Sequence, residues 1–187
     1  MAVPASFSVL DISGKFMLNK GLSGDTDKVL QLQGISWVKR KIISAGTIYV
    51  TIKHWKDEHG VERIDATQTL SGLNEQKEER TLDWSERKKD DSLFGPVVGK
   101  SRRVAPADLG IDCPHLIEGW TADTLEHGLI ESYVDTAPEA GTAWTAVQTW
   151  GVEEIGGERR YVRHVRLTTP KGDDVQIKLV YDYTGPV

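Results

Sequence analysis

The sequence predicts an all-β fold, either a sandwich or a barrel of about nine or ten strands. Apolar and polar residues alternate with a period of two along much of the chain, as in residues 48–55 and 175–183. Such runs recur roughly every dozen residues, with turn-forming segments such as Gly156-Gly157 and residues 169–173 between them. Short strands at regular spacing with turn signals are typical of a sandwich or a barrel.

Three segments depart from this alternation. Residues 23–34 predict one short N-terminal helix, because side-chain oxygens suited to an N-cap precede an amphipathic stretch that ends at a glycine. Residues 105–114 contain two prolines and no regular period, which predicts a loop over a surface or an opening. The charged runs 76–80 and 86–91 predict solvated turns and edges.

Length and composition predict one folded domain over residues 1–187. The chain has 23 Lys and Arg against 28 Asp and Glu, and therefore a net charge of −5. This balance argues against a nucleic-acid-binding surface, because neutralising phosphates needs clustered basic residues. With 39% hydrophobic and 27% charged residues, the composition is that of a globular protein rather than a disordered one.

We expect a cytoplasmic protein without a metal or cofactor. The single cysteine, Cys113, has no partner for an internal disulfide. Neither a secretory signal nor an apolar stretch of about 18 residues is visible, so we expect no membrane span. The five histidines show no metal-ligand spacing along one strand or helix, and the common nucleotide-binding and hydrolase motifs are missing from the sequence.

The order of several segments resembles a fatty-acid-binding protein. An opening strand at residues 13–18 is followed by a short helix, the stretch 29–35 and Arg40-Lys41, and the chain closes on a strand-like run at its end. Phe16 stands where that family has tryptophan, and Leu179 stands where it has a carboxylate-binding arginine. The resemblance implies a calycin-type fold, a single antiparallel up-and-down β-barrel of about 8–10 strands, rather than a fatty acid as the ligand.

The chain also resembles small calycin-like proteins of fungal secondary-metabolite pathways. Some of these act as cofactor-free cyclases or pericyclases, including hetero-Diels–Alderases. This resemblance implies a bulky, hydrophobic polyketide-like or terpenoid-like substrate. It is an analogy of overall pattern and not of a specific motif.

In a barrel, polar residues on inward-facing positions become the candidates for a site. Tyr181 and Tyr183 share the apolar face of the last strand, where they either present hydroxyls to a cavity or pack in the core. Arg163 interrupts the neighbouring apolar face that begins at Tyr161. An inward Arg163 would anchor an anion or polarise a carbonyl, or would pair with an acid inside the barrel. The opposite register would turn inward a different set, namely Arg160, His164 and Arg166.

A third face carries Trp144, Gln148 and Trp150. The two indoles either form a slot that stacks a flat polyene, with Gln148 donating to a carbonyl, or simply fill the barrel. Three further candidates for ligand contact, the first two expected at the cavity rim, are His54, Gln68 and Tyr133.

Three classes of function suit such a barrel differently. A carrier would bury an apolar molecule and orient it by one or two polar anchors. An enzyme would fold a reactive polyene into a near-attack geometry while a donor such as Arg163, Gln148 or Tyr181 polarises an oxygen. An interaction domain would need an exposed apolar patch, which no run of sequence indicates.

The sequence therefore predicts a barrel that binds a bulky hydrophobic small molecule and templates its cofactor-free cyclisation, of the hetero-Diels–Alder type, or its isomerisation. The alternative is a carrier that resembles fatty-acid-binding proteins and performs no catalysis. In both cases the partner is a hydrophobic small molecule, and no nucleic acid is expected to bind.

Overall fold

Ten antiparallel strands form one sheet that curls into a barrel. The computed structural model describes residues 1–137, 139 and 141–187, with the backbone alone at Asn74. The strands are β1 (Gly14–Leu18), β2 (Ile48–Lys56), β3 (Glu62–Leu70), β4 (Leu73–Thr81), β5 (Arg87–Asp91), β6 (Gly95–Val104), β7 (Leu129–Thr136), β8 (Thr145–Ile155), β9 (Glu158–Thr168) and β10 (Asp174–Gly185). Their order in the sheet is β4-β3-β2-β1-β10-β9-β8-β7-β6-β5, which confirms the predicted up-and-down barrel.

The two edge strands of the sheet, β4 and β5, have no backbone ladder between them in the described part of the chain. Side chains bridge them instead. Gln76 Nε2 donates to Ser92 Oγ at 2.6 Å, and Lys89 Nζ donates to the Lys77 carbonyl at 3.3 Å. Both strands are rich in charged residues, which discourage an exposed strand edge from pairing with another chain.

One end of the barrel is closed by the N-terminal segment, residues 1–12. Phe7 packs edge-on against Phe16 of β1, with ring centroids 5.9 Å apart. Two arginines hold the segment through its backbone, because Arg159 donates to the Phe7 carbonyl and Arg103 donates to the Val9 carbonyl. We call this the closed end, and it contains the largest group of buried apolar side chains.

Two helices, α1 (Asp27–Leu32) and α2 (Trp37–Ala45), connect β1 to β2. Helix α1 is the one that the sequence predicts, and Gly34 after it has a φ of +81°. Helix α2 is an addition to the prediction. Its N-cap is Ser36, whose Oγ accepts from Lys39 N, but it contains no buried residue. The apolar side chains of Trp37, Val38 and Ile42 on this helix are instead exposed.

Residues 105–127 lie over the outer face of β8, β9 and β10, and we call them the outer cover. They contain a short 3₁₀ turn (Pro106–Asp108) and two further short helices, α3 (Pro114–Ile117) and α4 (Ala122–His127). Leu116 and Trp120 of the cover pack with outward-facing valines of the three strands. The irregular segment predicted from its prolines thus covers a surface. Among the described residues, no helix has the length and apolar character to span a membrane.

We predict that Gly151→Ala destabilises the fold by about 1–3 kcal/mol, the usual cost of overpacking. A Cβ at Gly151 would lie 2.5 Å from Thr124 Cγ2 and 3.0 Å from Trp120 Cε3, so the outer cover would have to move off the sheet. Urea unfolding measures the loss. Gly21→Ala is the control, because the nearest atom to its Cβ would be at 3.5 Å. Equal stabilities of the two variants would contradict the close packing of the cover.

Candidate functional site

A cavity of about 650 Å³ lies between the N-terminal helices and the interior of the barrel. This volume is within the range of about 300–1,000 Å³ that is usual for small-molecule sites. Its apolar lining comes from both helices and from several strands, and includes Leu30, Ile43, Val97, Val165, Ile177 and Leu179. An apolar molecule could therefore exchange water contact for protein contact over much of its surface.

Five of the ten candidate residues from the sequence line this cavity. The strand register explains why, since Trp150 of β8 lies opposite Arg163 of β9 and alternate residues of both strands point inward. The five residues are Gln68, Trp144, Gln148, Arg163 and Tyr181.

Arg163 is a buried cation on the cavity wall, with only 8% of its surface exposed. Its guanidinium lies 4.1 Å from the centre of the Trp150 ring, and its Nε donates to the Tyr161 hydroxyl at 2.9 Å. Among the described residues, its Nη2 has no hydrogen-bond partner. Burial lowers the pKa of Arg163, but Tyr161, Tyr181 and the carboxylate of Glu78 raise it above its ordinary value, so the side chain stays charged.

Trp150 also fixes the orientation of Gln148. The Trp150 Nε1 donates to Gln148 Oε1 at 2.9 Å, so the acceptor oxygen of this amide is already engaged. The NH₂ end of Gln148 therefore remains to donate on the cavity side. Arg163 and Gln148 together present hydrogen-bond donors to whatever occupies the cavity.

The other five candidates lie outside the cavity lining. Trp150 and Tyr161 are fully buried beneath Arg163 and support its guanidinium. Burial raises the pKa of Tyr161 to about 12, so its hydroxyl stays neutral. Tyr183 packs against Phe16, with ring centroids 5.7 Å apart, in the closed end. The expected contacts of these three residues with a ligand are thus replaced by contacts with the core.

Tyr133 lies on the outer face of β7. Its hydroxyl donates to Asp135 at 2.9 Å, and the ammonium of Lys100 lies 5.3 Å from its ring centre. Tyr133 alternates with the buried Leu129, but Leu129 is buried under the outer cover and not inside the barrel. The alternation of Tyr133 with the apolar Leu129 correctly indicates that this face of β7 is covered. It does not indicate whether the cover is the barrel interior or the outer cover.

His54 lies in the closed end rather than at the cavity rim. Its Nδ1 accepts from Ile12 N at 3.3 Å, and its Nε2 lies 3.9 Å from Glu62 Oε2. Arg103 Nε donates to the same carboxylate oxygen at 3.1 Å. Burial raises the pKa of Glu62, but His54 and Arg103 outweigh it and lower that pKa to about 2.

The sequence analysis missed the charged residues other than Arg163 that line the cavity, among them Arg80 and Glu78 of β4. Arg80 Nη1 donates to Ser132 Oγ at 2.9 Å, Arg80 Nη2 donates to Glu78 Oε2 at 2.9 Å, and the guanidinium lies 5.2 Å from the Trp150 ring centre. The charge of Arg80 lowers the pKa of Glu78 and outweighs the effect of burial. The available signal was the alternation of Gln76, Glu78 and Arg80, but charged runs are more often solvated edges.

The alternative register of β9 is not the one observed. His164 is fully buried, but on the outer face, where its Nε2 lies 2.8 Å from Glu153 Oε2 and its ring stacks on Trp120 at 4.0 Å. Arg166 pairs with Asp174 on the same outer face. No group of His, Cys, Asp or Glu side chains within the described ranges could hold a metal ion.

The fold and the cavity together define a calycin-type β-barrel. Among solved structures, the chain is similar to the wild-type fluorescent protein UnaG, with a TM-score of 0.54, 12% identity and coverage of 92% of this chain and 97% of that one. It is also similar to a fatty-acid-binding protein from brain tissue of Drosophila melanogaster, with a TM-score of 0.52, 15% identity and coverage of 90% and 95%. At these identities the likeness shows the fold alone.

Two curated relatives match over nearly their full length. Pericyclase pydY of Acremonium sp is 31% identical over 189 residues, covering 100% of this chain and 98% of the relative. The probable pericyclase scpY of Mollisia scopiformis is 29% identical over 187 residues, covering 99% and 96%. The chain therefore belongs to this pericyclase family, which confirms the resemblance to calycin-like fungal cyclases. No protein-family model matches the chain.

We predict that Glu62 contributes to stability in a pH-dependent way. Its folded pKa of about 2 is below the ordinary 4.5, so the contribution is present above pH 4.5 and disappears as the pH falls towards 2. Between pH 7 and pH 3 the native protein should lose about 1–2 kcal/mol more unfolding free energy than Glu62→Gln.

Urea unfolding at the two pH values measures this difference. Glu58→Gln is the control, because the Glu58 side chain is 86% exposed, and it should keep the native pH dependence. If Glu62→Gln and Glu58→Gln respond to pH alike, the proposed stabilisation of the Glu62 carboxylate by His54 and Arg103 is wrong.

Proposed function

We propose that the cavity binds a bulky, hydrophobic, polyketide-like or terpenoid-like molecule and templates its cyclisation by a pericyclic, hetero-Diels–Alder-type reaction. The observation that carries this proposal is the buried Arg163 on an apolar cavity wall, with an N–H that no described residue accepts. The names of the two relatives, a pericyclase and a probable pericyclase, favour catalysis over transport.

A pericyclic reaction rearranges electrons within the substrate, so the protein supplies shape and polarisation. The apolar walls would hold a flexible polyene with its reacting ends near each other, which lowers the entropic part of the barrier. A donor that binds a carbonyl oxygen conjugated to the polyene would withdraw electron density and stabilise the charge that develops in the transition state.

We assign these roles to particular residues of the cavity. Arg163 is the principal donor, because its charge strengthens the hydrogen bond, and Gln148 is the second donor. Tyr181 also lines the cavity and adds a hydroxyl. Trp144 and Gln68 line more of its wall and would contact the body of the substrate. Trp150 and Tyr161 are positioning residues that hold Arg163 from beneath.

The experiment that tests this function uses a panel of fatty acids, polyketides and terpenoids. Quenching of the fluorescence of the six tryptophans reports binding, and chromatography with mass spectrometry reports any change in the compound. We expect at least one bound polyene to yield an isomer of identical mass. Tight binding of compounds that all remain unchanged would favour a carrier and overturn the catalytic proposal.

We predict that Arg163→Ala lowers the rate of isomer formation by about 100- to 1,000-fold, and that Gln148→Ala lowers it by about tenfold or more. Both substitutions remove a donor from the cavity wall while leaving the apolar volume in place. The measurement is the single-turnover rate with the compound that the panel identifies.

Arg166→Ala is the matched control, because Arg166 lies on the same strand but faces outward and pairs with Asp174. It should keep the native rate. If Arg163→Ala and Gln148→Ala both bind and convert the compound at the native rate, the assigned residues are wrong even though the fold is right.

A further inference from the structure

The charged side chains that face the Trp150 ring do not balance. Arg163 and Arg80 both lie over this ring, at 4.1 and 5.2 Å from its centre, and Glu78 pairs with Arg80 at 2.9 Å. Among the described residues, no carboxylate lies within ion-pair distance of Arg163, whose one side-chain hydrogen bond goes to the neutral Tyr161 hydroxyl. Arg163, Arg80 and Glu78 together therefore carry a net charge of one positive unit, although the charge of Glu78 also acts on Arg163.

A buried cation without a counter-ion is unfavourable, and the Trp150 ring offsets only part of that cost. The Arg163 side chain is more than nine-tenths buried, so bulk water does not solvate its guanidinium freely. A ligand that brings a negative charge would complete the ion pair inside the cavity. A neutral ligand would leave the charge imbalance as it is.

The hydrogen-bonding groups at this wall show the same bias. Arg163 Nη2 and Arg80 Nε have no partner among the described residues, and the amide oxygen of Gln148 is occupied by Trp150. The unpaired groups of Arg163 and Arg80, with the NH₂ group of Gln148, are N–H donors, and the Tyr181 hydroxyl on this wall can donate as well. Such a set matches an oxygen group with several lone pairs and no proton of its own.

We infer that the ligand of this cavity enters with a delocalised anionic oxygen group, an enolate or a carboxylate, which seats against Arg163 with Arg80 and Gln148 beside it. This inference rests on the proposed binding function and names its substrate class. The hydrophobic body of the ligand would then extend along the apolar lining towards the N-terminal helices.

Glu78 has a defined part in this arrangement. By pairing with Arg80, Glu78 neutralises one of the two guanidiniums and leaves Arg163 as the unpaired cation. The site is therefore suited to one negative charge and not to two. Glu78 therefore determines how many negative charges the ligand can carry. Arg80 is held in position by Ser132 and Glu78.

Binding of matched anionic and neutral probes tests the inference without requiring turnover. One pair is palmitate and methyl palmitate, and the other is 2-dodecanoylcyclohexane-1,3-dione, which ionises to an enolate at neutral pH, and its enol methyl ether. Tryptophan quenching and calorimetry give the dissociation constants. At least one anion should bind tenfold or more tightly than its neutral partner. Preference for the dione would indicate an enolate site, and preference for palmitate would indicate a carboxylate site.

Substitutions locate the preference. Arg163→Gln should abolish the preference for the anion, whereas Arg163→Lys, which keeps the charge, and Arg166→Gln, which changes an outward-facing arginine, should retain it. Thermal unfolding of each variant shows whether it is folded. If Arg163→Gln does not fold, the affinities of Arg163→Lys for the anionic and neutral probes still test the inference. Equal affinity for both members of each pair, or no binding of either anion, would overturn the inference.

The outcome is separable from that of the proposed function. A clear preference for the anion with no isomer formed from any compound would leave the ligand class standing and refute catalysis. Isomer formation from a neutral polyene, together with no preference for the anionic probes, would support catalysis and refute the ligand class.

Discussion

The contact between the Arg163 guanidinium and the Trp150 ring is the interaction on which the site depends. A guanidinium inside a barrel must be stabilised by neighbouring groups. If it is also to bind a ligand, those groups must leave some of its N–H donors unpaired. Trp150 provides an aromatic face, and the Tyr161 hydroxyl accepts from Nε, so only one edge of the guanidinium is engaged. Desolvated cation–π contacts contribute about 2 kcal/mol, less than the cost of an isolated buried charge. The remaining edge is therefore available to a ligand.

The rest of the fold holds this contact in place. The closed end packs Phe16 against Tyr161, with ring centroids 5.1 Å apart, and the outer cover buries His164 on the other side of β9. Because β9 is buried on both faces, a slip of one residue would turn Arg163 to the outer face, under the outer cover, and bring His164 into the cavity. The outer cover thus fixes the register that places Arg163 inside. Residues of the outer cover, which do not line the cavity, thus determine that Arg163 and not His164 faces it.

Much of this architecture could be predicted from the sequence, because period-two alternation marks the strands directly. The structure places Arg163, Gln148 and Tyr181 on the cavity wall, which for Arg163 is one of the two registers that the sequence left open. The alternation gave the wrong face for Tyr133, which is partly covered outside the barrel, and missed Arg80, a charged residue that faces inward. Alternation shows that two faces differ but not what covers each of them. The cover over β8 to β10 and the gap between β4 and β5 arise from long-range contacts that local patterns do not record.

A crystal structure of the protein with a bound substrate or product tests the central claim most directly. The account predicts that the compound fills the cavity with an oxygen about 2.7–3.1 Å from the Arg163 guanidinium and from the Gln148 amide nitrogen. Its hydrocarbon body should lie against Val165, Leu179 and the N-terminal helices. A compound seated with its oxygens away from Arg163, or on the outer face of the sheet, would contradict the account.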